Sequence, residues 1–261
     1  MTNNIINGVA LEMLAAFEEV LKKLEIDFYL VGALARDIGL WANPSFASKR
    51  ATKDVDIAIL LASEQQFYQV KQALLETGNF TAHETEPIKL FYKNAVELDL
   101  LPFGDIENEG REIKLAKPRL FVIDVPGFQE VFPDVEQYTL NNGISLKVCP
   151  LEGLILLKLI ANDNEPSRTK DITDIEHIIS VYFDLKETEI YEEYLDVMDN
   201  YGVYQPDYLR VISARVIGRK IANMLDGSDD LRERLLVILD RKTTGLHWPE
   251  IAAGIRDIHP Q

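Results

Sequence analysis

The sequence predicts an α/β (α+β) protein: a mixed-sheet domain over residues 1–150, followed by a helical domain over residues 151–261. Three observations lead there. Short runs of alternating apolar and polar residues, separated by turn chemistry, recur between Phe28 and Cys149. Runs with helical period interleave with them in the same half. After Pro150 only helical periods remain, so the boundary falls there.

The elements follow in order. Met13, Leu14, Phe17, Val20, Leu21 and Leu24 recur at helical spacing, which predicts an amphipathic helix over 8–25. Phe28-Tyr29-Leu30-Val31 reads as a strand, Gly32 as a tight turn and Ala33 to Trp41 as a helix. Asp54 to Leu60 alternates as a strand, and Gln65 to Glu76 is helical, with Phe67, Val70 and Leu74 on one side. Further strands are expected at Ile88–Tyr92, Val96–Leu101, Leu120–Ile123 and Ser145–Cys149. Lys93-Asn94-Ala95 joins two antiparallel neighbours, which makes the sheet mixed, and Asn141-Asn142-Gly143 supplies another turn. Leu151 to Ala161 is apolar on almost every side and reads as a buried helix; residues 162–167 form a loop. The next helix buries Ile172, Ile175 and Ile179. Gly245 to Ala252 hints at a DNA-reading motif, but no basic recognition helix follows, so a packed C-terminal helix is expected.

Composition narrows the function classes. The chain has 261 residues, 47% hydrophobic and 27% charged, with a net charge of −16 from 43 acidic and 27 basic side chains. That balance opposes a broad nucleic-acid sheath, whose affinity rests on many Lys and Arg contacts to phosphate, yet it leaves room for a local basic groove. No apolar run reaches the roughly 20 residues of a membrane helix, and the N-terminus lacks a signal-peptide pattern, so the expected compartment is the cytoplasm. The single cysteine, Cys149, reads as a small buried hydrophobe. His83, His177, His247 and His259 are too scattered for a metal motif, and no Gly-x-x-x-x-Gly-Lys-Ser/Thr loop is present.

The chemistry concentrates in the stretch from Arg50 to Leu60. In an extended strand Asp54 and Asp56 share one face while Val55, Ile57 and Ile59 point to the other. Two such anions repel, and a cation or proton between them relieves the cost; a solvated strand end is the plainer alternative. Val96-Glu97-Leu98-Asp99-Leu100 repeats the pattern, with Glu97 and Asp99 on one face. If the two strands are neighbours, Asp54, Asp56 and Asp99 could hold two divalent ions of the kind that steady attacking and leaving oxygens in phosphoryl transfer. Upstream, a strand, a glycine and a helix start offer free backbone N–H groups to an anion.

Together VGALARD (31–37), TKDVDIAIL (52–60) and VELDLL (96–101) resemble the nucleotidyltransferases of the DNA polymerase β superfamily. LEGLILLKLIANDNEPSRTKDITDIEHI (151–178) is similar to the Lys…Arg-x-x-Asp-x-x-Asp segment of the AbiEii-like branch, which includes toxins of type IV toxin-antitoxin systems. The resemblance implies a mixed-sheet nucleotidyltransferase fold followed by a helical domain, with the site in the cleft between them. It implies Mg²⁺ or Mn²⁺ on Asp54, Asp56 and Asp99, and nucleoside triphosphate phosphates near Gly32 and Ala33, with Lys53 and Arg168 as further contacts. Lys158 and Asp171 join the active site by the same resemblance. Asp99 would accept or orient the acceptor proton and Lys158 would offset charge in the transition state. The implied partners are tRNA or another RNA as acceptor and an antitoxin protein. The chain departs from the pattern at Ala33, where Ser or Gly is usual; a hydroxyl is lost there but the backbone N–H remains.

Two basic clusters could hold an anionic acceptor or could be solvated faces: Arg111, Lys114, Lys117 and Arg119, and Arg210, Arg215, Arg219 and Lys220. Lys158 either snorkels to solvent or reaches phosphate. Two other functions fit the residues. One is a catalytically silent binding module, favoured by Ala33; the other is a transferase with a small cationic acceptor, favoured by the acidic surface.

Overall fold

A computed structural model of the chain describes residues 6, 8–41, 46, 54–139, 143–242 and 247–257, which separate into two compact units, Met1–Pro150 and Leu151–Gln261. Among the described residues, no helix is long and apolar enough to cross a membrane.

The first unit opens with α1 (Gly8–Lys23), whose buried face is Met13, Leu14, Phe17, Val20 and Leu21. Phe17 meets Phe28 edge to face at 5.1 Å between ring centroids, seating the helix on the first strand. There follow β1 (Phe28–Val31), α2 (Gly32–Gly39), β2 (Asp54–Leu60), α3 (Glu64–Glu76), β3 (Phe80–Ala82), β4 (Lys89–Tyr92) and β5 (Val96–Phe103). The unit continues with β6 (Glu112–Leu115), β7 (Phe121–Asp124), α4 (Phe128–Val131), a 3₁₀ turn (Phe132–Asp134), β8 (Glu136–Thr139) and β9 (Ser145–Val148). Among the described residues, seven strands make one sheet in the order β3-β4-β5-β2-β1-β9-β8. The pairs β2–β5 and β1–β9 are parallel and the others antiparallel, so the sheet is mixed. Its centre is apolar: Leu30, Ile57, Ala58, Ile59, Leu98 and Leu100 are fully buried. Each such large aliphatic side chain contributes roughly 1.5–3 kcal/mol relative to exposure.

Several expectations shift. Helix α2 begins at Gly32 itself and stops at Gly39, so Gly32 is both turn and first helical residue. The strand expected at Leu120–Ile123 lies one residue later and pairs with β6 in a separate two-stranded sheet, not in the main one. Strands β3, β6 and β8 carry too few buried residues to announce themselves: β8 has none, and β6 only Ile113 and Leu115. Cys149 is buried, one residue beyond the end of β9.

The second unit is helical throughout its described residues: α5 (Leu151–Asn164), α6 (Thr169–Leu185), α7 (Glu187–Glu193), α8 (Leu195–Asp199), α9 (Tyr208–Met224), α10 (Asp229–Arg241) and α11 (Trp248–Asp257). Helix α5 buries residues all round, as its composition requires. Helices α9 and α11 touch backbone to backbone. A methyl placed on Gly218 would sit 2.2 Å from the Ile251 carbonyl oxygen, and one on Gly254 would sit 2.1 Å from that of Arg215. This approach brings Arg215 and Arg219 onto Asp257, with Arg215 donating to both its carboxylate oxygens at 2.9 and 2.8 Å.

Overpacking that seam is expected to be costly. Gly218→Ala or Gly254→Ala should each destabilise the protein by about 1–3 kcal/mol. Gly8→Ala, where a methyl meets nothing within 4 Å, should leave the melting temperature unchanged. Thermal denaturation of the three variants decides it, and equal melting of all three would contradict the packing account.

Candidate active site

The acidic face is built by strand register. Strands β2 and β5 run parallel as neighbours, with Asp54 opposite Glu97 and Asp56 opposite Asp99. Residues opposite one another in a ladder project from the same face, so four carboxylates gather on one side while Val55, Ile57, Leu98 and Leu100 fill the core on the other. Asp54 is exposed at the strand start, whereas Asp56 and Asp99 are partly buried. Asp99 Oδ1 is buried without a hydrogen-bond partner among the described residues.

A residue the sequence reading passed over completes this face. Lys89 on β4 lies directly opposite Asp99 across the antiparallel β4–β5 pair. Its ammonium donates to Glu97 Oε1 and stands 3.8 Å from Asp99 Oδ1, outside hydrogen-bond reach. The hydrogen bond to Glu97 raises the Lys89 pKa. Burial is the main cause that pushes the Asp99 carboxyl above its ordinary range, with Lys89 opposing and Glu97 and Asp54 adding to the rise. The signal in the sequence was there: a lysine inside the Lys89-Leu90-Phe91-Tyr92 alternation, next to an acidic strand across a tight turn.

Gly32 forms the rim. Val31, the last residue of β1, is opposite Asp56 on β2, and the chain turns there into α2. Gly32 has φ of +66°, and an added Cβ would lie 2.0 Å from Asp56 Oδ2. No side chain with a β-carbon fits between the helix start and the carboxylate. Ala33 follows in the first turn of α2, so its N–H is among the helix-start donors that lack an intrahelical partner and could donate to an anion. Just inside that helix Arg36 and Asp37 are both buried and paired, with Arg36 Nη2 donating to Asp37 Oδ1 at 2.7 Å. Lys53 lies outside the described residues.

In the helical unit Lys158 neither snorkels nor points at solvent. Its ammonium donates to Asp171 Oδ1 at 2.9 Å and to Asp174 Oδ2 at 2.7 Å, with its side chain 12% exposed. Arg168 Nε donates to the other Asp171 oxygen at 2.7 Å. Asp171 is buried between two cations, while Arg168 is half exposed. The four residues of the Lys…Arg-x-x-Asp-x-x-Asp segment therefore form one ion-paired centre.

The basic clusters fare differently. Arg215 and Arg219 are held by Asp257, and Arg219 also pairs with Asp196. Lys220 bridges Glu152 and Glu189, and Arg210 lies 3.7 Å from Asp207. Arg215, Arg219 and Lys220 are spent on internal ion pairs, whereas Arg210 stays exposed. In the other cluster Arg111 is anchored by Glu107 and, through two bonds, by Glu130. Lys114, Lys117 and Arg119 remain exposed on the β6–β7 hairpin beside exposed Leu120 and Val122. Arg119 lies 3.6 Å from Glu86, just ahead of β4.

The donor set on β2 and β5 suits a hard divalent cation. Carboxylate oxygens are the ligands Mg²⁺ and Mn²⁺ prefer, and the unpartnered Asp99 oxygen is the kind of atom such an ion satisfies. Among the described residues, no three His, Cys, Asp or Glu side chains stand close enough together to hold a metal ion as they are placed. Residues able to hold the ion are Asp56 and Asp99, with Asp54 at the strand entrance.

A carboxylate buried at such cost should be a liability to the metal-free fold. Asp99→Asn is expected to raise the melting temperature in the presence of a chelator, because it removes a desolvated charge facing Asp56 and Glu97. A lower melting temperature would make Asp99 a structural anchor instead.

Three comparisons with known proteins bear on this arrangement. No curated protein matches the sequence. Among the solved structures that match are two distant ones. One is the antibiotic-resistance factor ANT(2'')-Ia in solution: 12% identity, 83% of this chain and 96% of that one covered, TM-score 0.42. The other is an antigenic nucleotidyltransferase-like protein from Paracoccidioides brasiliensis: 19% identity, 87% and 91% covered, TM-score 0.41. The family model described as nucleotidyl transferase AbiEii toxin, type IV TA system, matches residues 15–248, nearly the whole chain. The chain belongs to the AbiEii nucleotidyltransferase family.

Proposed function

We propose that the protein moves a nucleoside monophosphate from a nucleoside triphosphate to a hydroxyl of an RNA acceptor, tRNA among the candidates, with Mg²⁺ or Mn²⁺ as cofactor. The observation that carries the reading is the Asp56–Asp99 register pair, with its unpartnered buried oxygen, beside a glycine that admits no side chain. A divalent ion bound there would supply charge neutralisation and Lewis acidity at the triphosphate. The residues do the rest. The N–H groups of Gly32 and Ala33 cradle phosphate oxygens, and the loss of a hydroxyl at Ala33 leaves those donors in place. Asp99 accepts or orients the proton of the attacking hydroxyl. The new O–P bond forms at the α-phosphorus, the bond to the β-phosphate oxygen breaks, and pyrophosphate leaves. Lys158 and Asp171 are assigned to charge compensation in this step, with Lys53 and Arg168 as nucleotide contacts, on the family pattern. Family membership also supports an antitoxin protein as a partner.

Two features favour RNA over a small cationic acceptor. Lys114, Lys117 and Arg119 sit exposed together on the β6–β7 hairpin, with Lys114 4.0 Å from Glu112, and Arg119 lies 3.6 Å from Glu86 near the acidic face. A small cationic acceptor would have no use for that patch, whereas a phosphate backbone would.

The test is label transfer from each α-labelled nucleoside triphosphate to total RNA, total protein or a panel of aminoglycosides. RNA is expected to take label, with steep loss on raising salt. Asp56→Asn should abolish transfer. Reversing Lys114, Lys117 and Arg119 to Glu should lower transfer to RNA at least tenfold while nucleotide binding is kept, and Lys158→Met should lower turnover by orders of magnitude. Label in aminoglycosides alone would move the assignment to small-molecule modification; no label with nucleotide still bound would leave a silent binding module.

A further inference from the structure

We propose that Lys89 is a tethered competitor for the cation at Asp99, and that Glu97 holds it off. The inference rests on the reading that Asp56 and Asp99 bind a divalent ion. The geometry makes Lys89 conspicuous: it is directly opposite Asp99 across β4–β5, its side chain is only about a quarter exposed, and its ammonium is bound to Glu97 while standing 3.8 Å from Asp99 Oδ1. An ammonium has three donors on a flexible stem. A small torsional shift would carry one of them onto the unpartnered Asp99 oxygen, satisfying it and filling the place where a metal would sit. Glu97, two residues earlier on the same face of β5, offers a better partner and keeps Lys89 turned aside. The buried oxygen of Asp99 thereby stays open to an incoming ion. Glu97 acts through Lys89 and is not itself a metal ligand. Lys89 and Glu97 are positioning residues that set how tightly the site takes its cation.

Alternative roles separate cleanly. If Lys89 bound the triphosphate directly, its removal would weaken nucleotide binding, and Glu97→Gln would change metal affinity alike with and without Lys89. If Glu97 only added to the general negative field, its removal would weaken metal binding equally whether or not Lys89 was present.

The experiment is Mn²⁺ binding to the full chain without nucleotide, followed by the electron paramagnetic resonance signal of free Mn²⁺. Lys89→Met should bind Mn²⁺ about tenfold more tightly, because a positive charge a few ångströms from the ion is removed. Glu97→Gln should bind several-fold more weakly than the unaltered protein, as Lys89 moves onto Asp99. In the Lys89→Met background the same Glu97→Gln change should have a clearly smaller effect, limited to the loss of Glu97's own charge, and this double variant also removes the pair together, so neither partner is left uncompensated. Unchanged or weaker binding by Lys89→Met would overturn the proposal, as would an equal effect of Glu97→Gln in both backgrounds. Asp99→Asn tells the two levels apart. If it abolishes Mn²⁺ binding while Lys89→Met changes nothing, only the role of Lys89 falls. If it leaves binding intact in both the unaltered and Lys89→Met proteins, the metal reading falls with it.

Discussion

Two carboxylates set opposite each other on neighbouring parallel strands repel, and the structure around Asp56 and Asp99 is arranged by that repulsion. Burial on the core side of β2 and β5 fixes the register, since slipping either strand by one residue would exchange Val55, Ile57, Leu98 and Leu100 with the acids. The aliphatic core thus forces the charges together. What accumulates around them is compensation of a particular kind: Lys89 near enough to soften the field, yet engaged by Glu97 so that one Asp99 oxygen stays unfilled. A protein with no use for a cation here would gain by letting the lysine complete the pair. Gly32 obeys the same constraint from the other side, because the carboxylate of Asp56 occupies the volume a Cβ would need.

The helical unit follows a different logic. Its charges are matched internally: Lys158 with Asp171 and Asp174, Lys220 with Glu152 and Glu189, Arg215 and Arg219 with Asp257. Buried ion pairs of this type contribute little net stability compared with apolar packing, but each member becomes expensive to remove alone. The close α9–α11 crossing at Gly218 and Gly254 brings the arginines within reach of Asp257. Much of an apparent cationic surface in the sequence is thereby consumed in folding, while Lys114, Lys117 and Arg119 stay exposed together on the β6–β7 hairpin.

How much of this the sequence discloses depends on the kind of information involved. Alternation in DVDIAIL and VELDLL makes two strands with one acidic face each legible, because a period of two survives without any knowledge of neighbours. That β2 and β5 are adjacent, with Asp56 against Asp99, is a long-range fact that no local pattern contains. Lys89 is half legible: its strand and the tight turn to the acidic strand can be read, but only the register shows that it stands opposite Asp99. The four-residue strand β8 has no buried residue to mark it and β6 only two, and the basic helical run reads as available until Asp196 and Asp257 close on it. Lys158 shows the limit from the opposite direction. Its helix told that it should be buried, but only the fold shows which carboxylates receive it.

The central claim is that a divalent ion and a nucleoside triphosphate meet at the Gly32, Asp56 and Asp99 face. The most direct measurement is paramagnetic broadening of backbone amide signals on adding substoichiometric Mn²⁺ with a nucleoside triphosphate. The account predicts selective loss of the amides at Gly32, Ala33, Asp56, Lys89 and Asp99, and recovery of all of them in Asp99→Asn. Broadening centred on other residues, or the same pattern in Asp99→Asn as in the unaltered protein, would contradict it.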